Sequence, residues 1–165
     1  NALNLRKGKA LAEVVGYANA NDAYHQTASS PEGYGATLAI QQAFAMSGLT
    51  PSQIDYINMH GTGTPNNDLS ESFATKAVFG NQVPKFSSTK AFTGHTLAAA
   101  ASIEAVISVL SLQNNMIFPN LNFTTPIAET GLVPETALVN TPLNTILSNS
   151  FGFGGNCSSL IFKKA

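Results

Sequence analysis

Tryptophan is absent from these 165 residues, cysteine occurs once, and only 10% of the residues are charged. A single cysteine excludes an internal disulfide and any Cys-x-x-Cys metal site. Eight Lys+Arg stand against nine Asp+Glu, a formal net charge of −1, and no basic run gathers, which argues against nucleic acid as a partner. No long hydrophobic run is present either. The most apolar stretch, Leu97 to Leu112, carries Glu104 and falls short of the roughly 20 apolar residues of a spanning helix; it reads as a buried helix, and no membrane role is expected. The sequence begins at Asn1 without a methionine or a signal-like apolar segment, so the expectation is a cut or expressed fragment of a cytoplasmic protein. What is there is 44% hydrophobic, enough for one domain with a sizeable core. So little charge to dress it predicts that something else covers part of the surface.

Along the chain, Asn1 to Lys9 is polar and basic. Leu11 to Tyr17 is rich in strand formers and is expected to break at Ala18–Asp22; Asp22 to Tyr34 reads as a loop. Helical spacing of Ala36, Ile40, Ala43, Phe44 and Met46 predicts a helix over Glu32 to Ser47, stopped by Gly48. Ile54 to Met59 reads as a strand, and Phe73, Ala74, Ala77 and Val78 belong to a helix following Asp68 and ending at Gly80. Lys85 to Ser88 is a short strand. An apolar helix runs from His95 to about Asn114, with small residues at Ala98 to Ala101. Met116 to Pro142 is turn-rich, with a short strand at Ala137 to Asn140, and two strands, Leu143 to Ser150 and Cys157 to Lys163, close the chain.

Two strand-to-helix junctions share one design. The first is His60-Gly61-Thr62-Gly63-Thr64-Pro65, where glycines let the backbone approach a ligand while two threonine hydroxyls project. Pro65 stops the strand, and Asp68 with Glu71 has the spacing of a capping box. The second is Ser88-Thr89-Lys90-Ala91-Phe92-Thr93-Gly94-His95. Each junction alone is compatible with an ordinary loop. Together they place two of the three histidines where open α/β sheets bind ligands, at the strand ends. A metal bound by His60, His95 and Asp68 has no supporting spacing, and no metal or other cofactor is expected. Cys157 opens an apolar strand rather than a helix N-terminus, so it reads as packed and unreactive.

These two motifs, followed by Asn149-Ser150-Phe151-Gly152-Phe153-Gly154-Gly155 and preceded by Asp22-Ala23-Tyr24-His25-Gln26-Thr27, resemble the C-terminal half of a β-ketoacyl-acyl carrier protein synthase over nearly the whole chain. Asn67, Ala98, Ala101 and Asn156-Cys157 depart from the pattern without removing a catalytic side chain. The resemblance implies one thiolase-like α/β half, a mixed five-stranded sheet with helices on both faces and the Ala-rich helix buried. It implies a decarboxylative Claisen condensation in fatty acid or polyketide chain elongation, with malonyl-loaded acyl carrier protein as partner substrate. His60 and His95 would donate to the thioester oxygen and Lys90 would tune their charge, with Glu104 as its possible partner. Thr62, Thr64 and, more weakly, Thr27 would grip the pantetheine arm, while His25 reads as structural. Phe153 would be the gate and Phe151 a second wall of the oxyanion loop. The nucleophilic cysteine would lie in a missing N-terminal half, the full protein would be a homodimer, and this piece alone would be inactive. The rival is a non-catalytic partner subunit of the chain-length-factor kind, against which His60, His95 and Lys90 all speak.

Overall fold

The computed structural model describes residues 8–165; the basic start expected at Asn1 to Lys9 falls, through residue 7, outside them. Seven strands and four helices follow in the order β1 (Ala12–Asn21), α1 (Tyr34–Ser47), β2 (Tyr56–Asn58), α2 (Pro65–Phe79), β3 (Lys85–Ser87), α3 (Lys90–Thr93), α4 (Ala100–Asn114), β4 (Met116–Ile117), β5 (Val139–Asn140), β6 (Thr145–Gly152) and β7 (Asn156–Lys164). Five strands form a mixed sheet ordered β1-β7-β6-β2-β3, and β4 pairs with β5 apart from it. Strands β3, β2 and β6 are parallel, while β6–β7 and β7–β1 are antiparallel.

The period-two alternation of strands divides the core. Register sets Tyr56 beside Ile146 and Ile146 beside Phe162, and one residue on sets Ile57 beside Leu147 and Leu147 beside Ile161. The first trio packs with Leu112 of α4, the second with Ile40, Ala43 and Phe44 of α1 and Ala74 and Phe79 of α2. Helices therefore cover both faces. The buried positions Ala36, Ala39, Ile40, Ala43 and Phe44 follow one helical stripe. Its alanines let α1 lie close on β1: a Cβ at Gly16 would come within 2.4 Å of the Ala43 carbonyl oxygen. Leu147 is fully buried, and its truncation to alanine would cost about 2–5 kcal/mol.

Several expectations need correction. Strand β1 does not break at Ala18 but runs to Asn21, because β7 pairs with it as far as Asn21–Asn156. Helix α2 starts at Pro65, whose fixed φ suits the first helical position. The expected capping box of Asp68 and Glu71 does not form, since the Glu71 carboxylate reaches back to the preceding turn instead. A short helix, α3, occupies what reads as loop. The helix after His95 begins with a 3₁₀ turn at Leu97–Ala99 and is buried on one face only, through Ala100, Glu104, Ser108, Ser111 and Leu112. Val106 and Leu110 on its outer face are 60% and 46% exposed, because the sheet meets a single side of it. By length and a mean hydropathy of 1.4, Leu97–Asn114 could cross a membrane; here it lies against β6 with its polar face inward.

Candidate active site

Strand β2 ends at Asn58, and the chain turns at once through Met59, His60 and Gly61. Helix α2 returns over this turn, and the buried Glu71 accepts the backbone N–H of His60 at 2.9 Å and of Gly61 at 2.8 Å. Asn149 of β6 donates to the same carboxylate at 3.4 Å while accepting from the Ser159 hydroxyl at 2.9 Å. The turn is thus held from two elements. Gly61 has φ 45°, and a Cβ there would stand 2.5 Å from Cβ of Ser88, so no larger residue fits.

Strand β3 delivers Lys90 to the same place. Its ammonium, almost wholly buried, contacts the Glu104 carboxylate on α4 and the His60 carbonyl, and lies 3.3 Å from His60 Nδ1. Ser150 donates to the other Glu104 oxygen at 3.3 Å. An ammonium only donates, so His60 Nδ1 must accept and the neutral ring carries its proton on Nε2. Burial, with Lys90 and His95 nearby, pushes the His60 pKa down to about 3, so the ring is uncharged at neutral pH. Burial raises the Glu104 pKa, and Lys90 pulls it the other way. Glu71 is pushed up to about 7 by burial, against the two backbone N–H groups that favour its charge.

His95 follows α3 and Gly94 and is exposed. Its ring centroid is 5.3 Å from that of His60, edge to face. The backbone N–H of Leu97 donates to His95 Nδ1 at 3.1 Å, which leaves the neutral proton on Nε2 here too. Leu97 adopts φ 52°, a left-handed conformation rare for a leucine. Phe151 also packs against His60, with ring centroids 5.6 Å apart. The two imidazole rings and the Phe151 ring therefore cluster, with His60 at the centre of both contacts.

The remaining candidates lie outside this buried group. Thr62 and Thr64 have hydroxyls 2.8 Å apart on an open loop. Phe153 is 78% exposed, between Gly152 and Gly154, the latter with φ 79°. Thr27 shares no hydrogen bond with Thr62 or Thr64 among the described residues; its own N–H is turned to His25 Nδ1 at 3.2 Å. Its loop is nonetheless tied to both neighbours, by Gly154 N–H to the Gln26 carbonyl at 2.7 Å and Ser29 N–H to Asn66 at 3.1 Å. Cys157 is buried in β7, its pKa pushed up to about 12 by burial with Asp22 and Glu71, which holds it as an unreactive thiol at neutral pH. No cluster of three or more His, Cys, Asp or Glu suited to a metal occurs among the described residues.

Sequence reasoning misses Glu71 and Asn149. A signal for Glu71 exists: it shares the buried face of α2 with Asn67, Ala74 and Thr75, and a carboxylate on such a face needs partners.

Comparison with known proteins agrees with this architecture. The profile of the beta-ketoacyl synthase C-terminal domain matches residues 11–124. The 3-oxoacyl-[acyl-carrier-protein] synthase 2 of Vibrio cholerae is 44% identical over 164 residues, 96% of this chain and 40% of that protein. A type II PKS acyl-carrier protein in complex with its ketosynthase bound to the hexaketide superposes with TM-score 0.93 at 33% identity, over 99% of this chain and 41% of that one. The ishigamide ketosynthase/chain length factor gives the same TM-score at 31% identity, over 99% and 40%. The chain thus spans about 40% of the length of the curated relative it matches. Three motifs in order, a mixed sheet with their side chains at its strand ends, and a matching profile lead to one conclusion: this chain belongs to the beta-ketoacyl synthase family, as its C-terminal domain.

Proposed function

We propose that this chain supplies the decarboxylation half-site of a β-ketoacyl-acyl carrier protein synthase. The paired imidazoles of His60 and His95, centroids 5.3 Å apart, carry this reading. In the reaction a malonyl thioester loses carbon dioxide, and the electron pair of the broken C–C bond moves toward the thioester oxygen as an enolate. Its carbon then attacks an acyl thioester carbonyl, forming the new C–C bond and expelling the thiolate. Two Nε2–H donors at the enolate oxygen stabilise the charge as it develops, each worth about 10²–10³ in rate. Burial, with Lys90 beside it, keeps His60 neutral, and Lys90 holds the donating tautomer. Thr62, Thr64 and Thr27 hold the pantetheine amides of a carrier-linked substrate, and Phe153 gates the entry, with Phe151 as a second wall.

The acyl group needs a nucleophile that Cys157 cannot supply. It comes from the rest of the protein, and the exposed Leu97 just before α4, with Val106 and Leu110 on it, are where that part docks. A homodimeric, cytoplasmic enzyme of fatty acid or related polyketide elongation fits this assignment, and the isolated chain is inactive. A chain-length-factor-like subunit is the second reading, favoured only by likeness to structures that contain one; it would have no use for Lys90 between His60 and Glu104. Kinetics of the whole protein distinguish them. Thr62→Ala and Thr64→Ala should raise KM for malonyl-carrier protein at nearly constant kcat, while His95→Ala should lower kcat. A protein without decarboxylase activity in any of these forms would favour the second reading.

A further inference from the structure

A cavity of about 180 Å³ lies beside the His60 turn, between α2 and the long segment that follows β4. His60 does not line it, whereas Met59 and Gly61 on either side of it do. Its size is comparable to the roughly 150 Å³ apolar cavity that takes up benzene. Four features give it a chemical character. Phe86 and Phe123 supply aromatic walls, Ile127 and Leu132 aliphatic ones, Asp68 and Glu71 are the lining acids, and no basic side chain among the described residues lines it. Asp68 Oδ1 accepts from Gly63 N–H at 3.3 Å and Asn67 at 3.1 Å, while its Oδ2 accepts no hydrogen bond among the described residues. The Thr130 hydroxyl, which also lines the cavity, is buried without a partner among those residues. A buried hydroxyl with no partner is costly unless a ligand or water satisfies it.

Carboxylates disfavour an anion, aromatic faces attract a cation, and the volume admits a single ring. We propose that this cavity binds a small primary aromatic amine, its ammonium toward Asp68 and its ring between Phe86 and Phe123. Occupancy would be felt at the site described above, because Gly61 and Glu71 belong to both.

The probes are benzylamine, toluene and benzoate, titrated into the whole protein that carries this chain and followed by NMR. Benzylamine should saturate, with the largest shifts at Phe86, Phe123 and Leu132 and a smaller one at His60. Toluene should bind about tenfold more weakly, the scale of one lost charged hydrogen bond, and benzoate should not bind. Asp68→Asn should weaken benzylamine by a similar factor, and Leu132→Trp, which fills the cavity, should abolish the shifts. Non-saturating shifts, shifts that map elsewhere, or benzoate binding as well as benzylamine would overturn the proposal. The three-probe series on the unaltered protein decides the matter even if Leu132→Trp does not fold, and none of it depends on turnover.

Discussion

The two histidine junctions look alike in sequence and differ in the folded chain. His60 is 3% exposed, its turn bonded to Glu71 and its ring and carbonyl to Lys90. His95 is exposed; its ring packs edge to face with that of His60, and its Nδ1 accepts the backbone N–H of Leu97 two residues on. One junction is fixed by tertiary burial within this chain. The other is oriented by its own short loop, so its surroundings depend on what covers that face in the whole protein. The two imidazoles thus differ in how they are held, one by tertiary burial and one by its own loop.

The largest effect that would break the contrast comes from Lys90→Ala. It strands the buried Glu104 carboxylate, and removing one partner of a buried pair costs about 3–5 kcal/mol. Thermal unfolding should show that loss, and Lys90→Met combined with Glu104→Gln should recover much of it while leaving kcat low. Recovery of kcat as well would mean that Lys90 is only structural.

Next in size is the difference between the histidines themselves. Both alanine changes should lower kcat, by about 10²–10³ for each lost donor. Only His60→Ala should also destabilise, by about 1–3 kcal/mol, with His95→Ala within about 0.5. Equal destabilisation by the two would erase the asymmetry.

The smallest effect is in pH. His60 has a folded pKa of about 3 against an ordinary 6.5; between these the unfolded chain binds a proton that the folded one refuses, so stability rises with pH across that window. Glu71 has a folded value of about 7 against an ordinary 4.5, so between these the folded chain holds the extra proton and stability falls as pH rises. The two slopes, about 1.4 kcal/mol per pH unit each, cancel between 4.5 and 6.5. Denaturation at constant temperature should therefore show a plateau there, with loss below it and a shallow loss just above it. Glu71→Gln should remove the upper fall and let stability rise through the plateau. An unchanged profile in that variant would discard Glu71 as its cause.

What was legible in the sequence followed from local pattern. The alternation around Ile57 and Ile146 announced strands, glycine and proline marked the junctions, and the motif order announced the fold. The apolar character of Leu97 to Leu112 announced a helix but not that only one face of it would be covered by this chain. The two-residue strand at Met116–Ile117 is too short to carry a period. Glu71 escaped because its partners lie a turn away in space, supplied when α2 folds back over His60; its spacing from Asp68 mimicked a cap. Asn21 belonged to a strand because of Asn156, far along the chain.

At working pH the His60 ring is uncharged with its proton on Nε2, held so by burial and by Lys90 at Nδ1. Nitrogen NMR of the histidine rings in the whole protein tests it directly. Unprotonated Nδ1 and protonated Nε2 at His60 near neutral pH, with the ring still uncharged near pH 4, is the predicted result. A His60 ring that titrates near 6.5, or carries its proton on Nδ1, would contradict it.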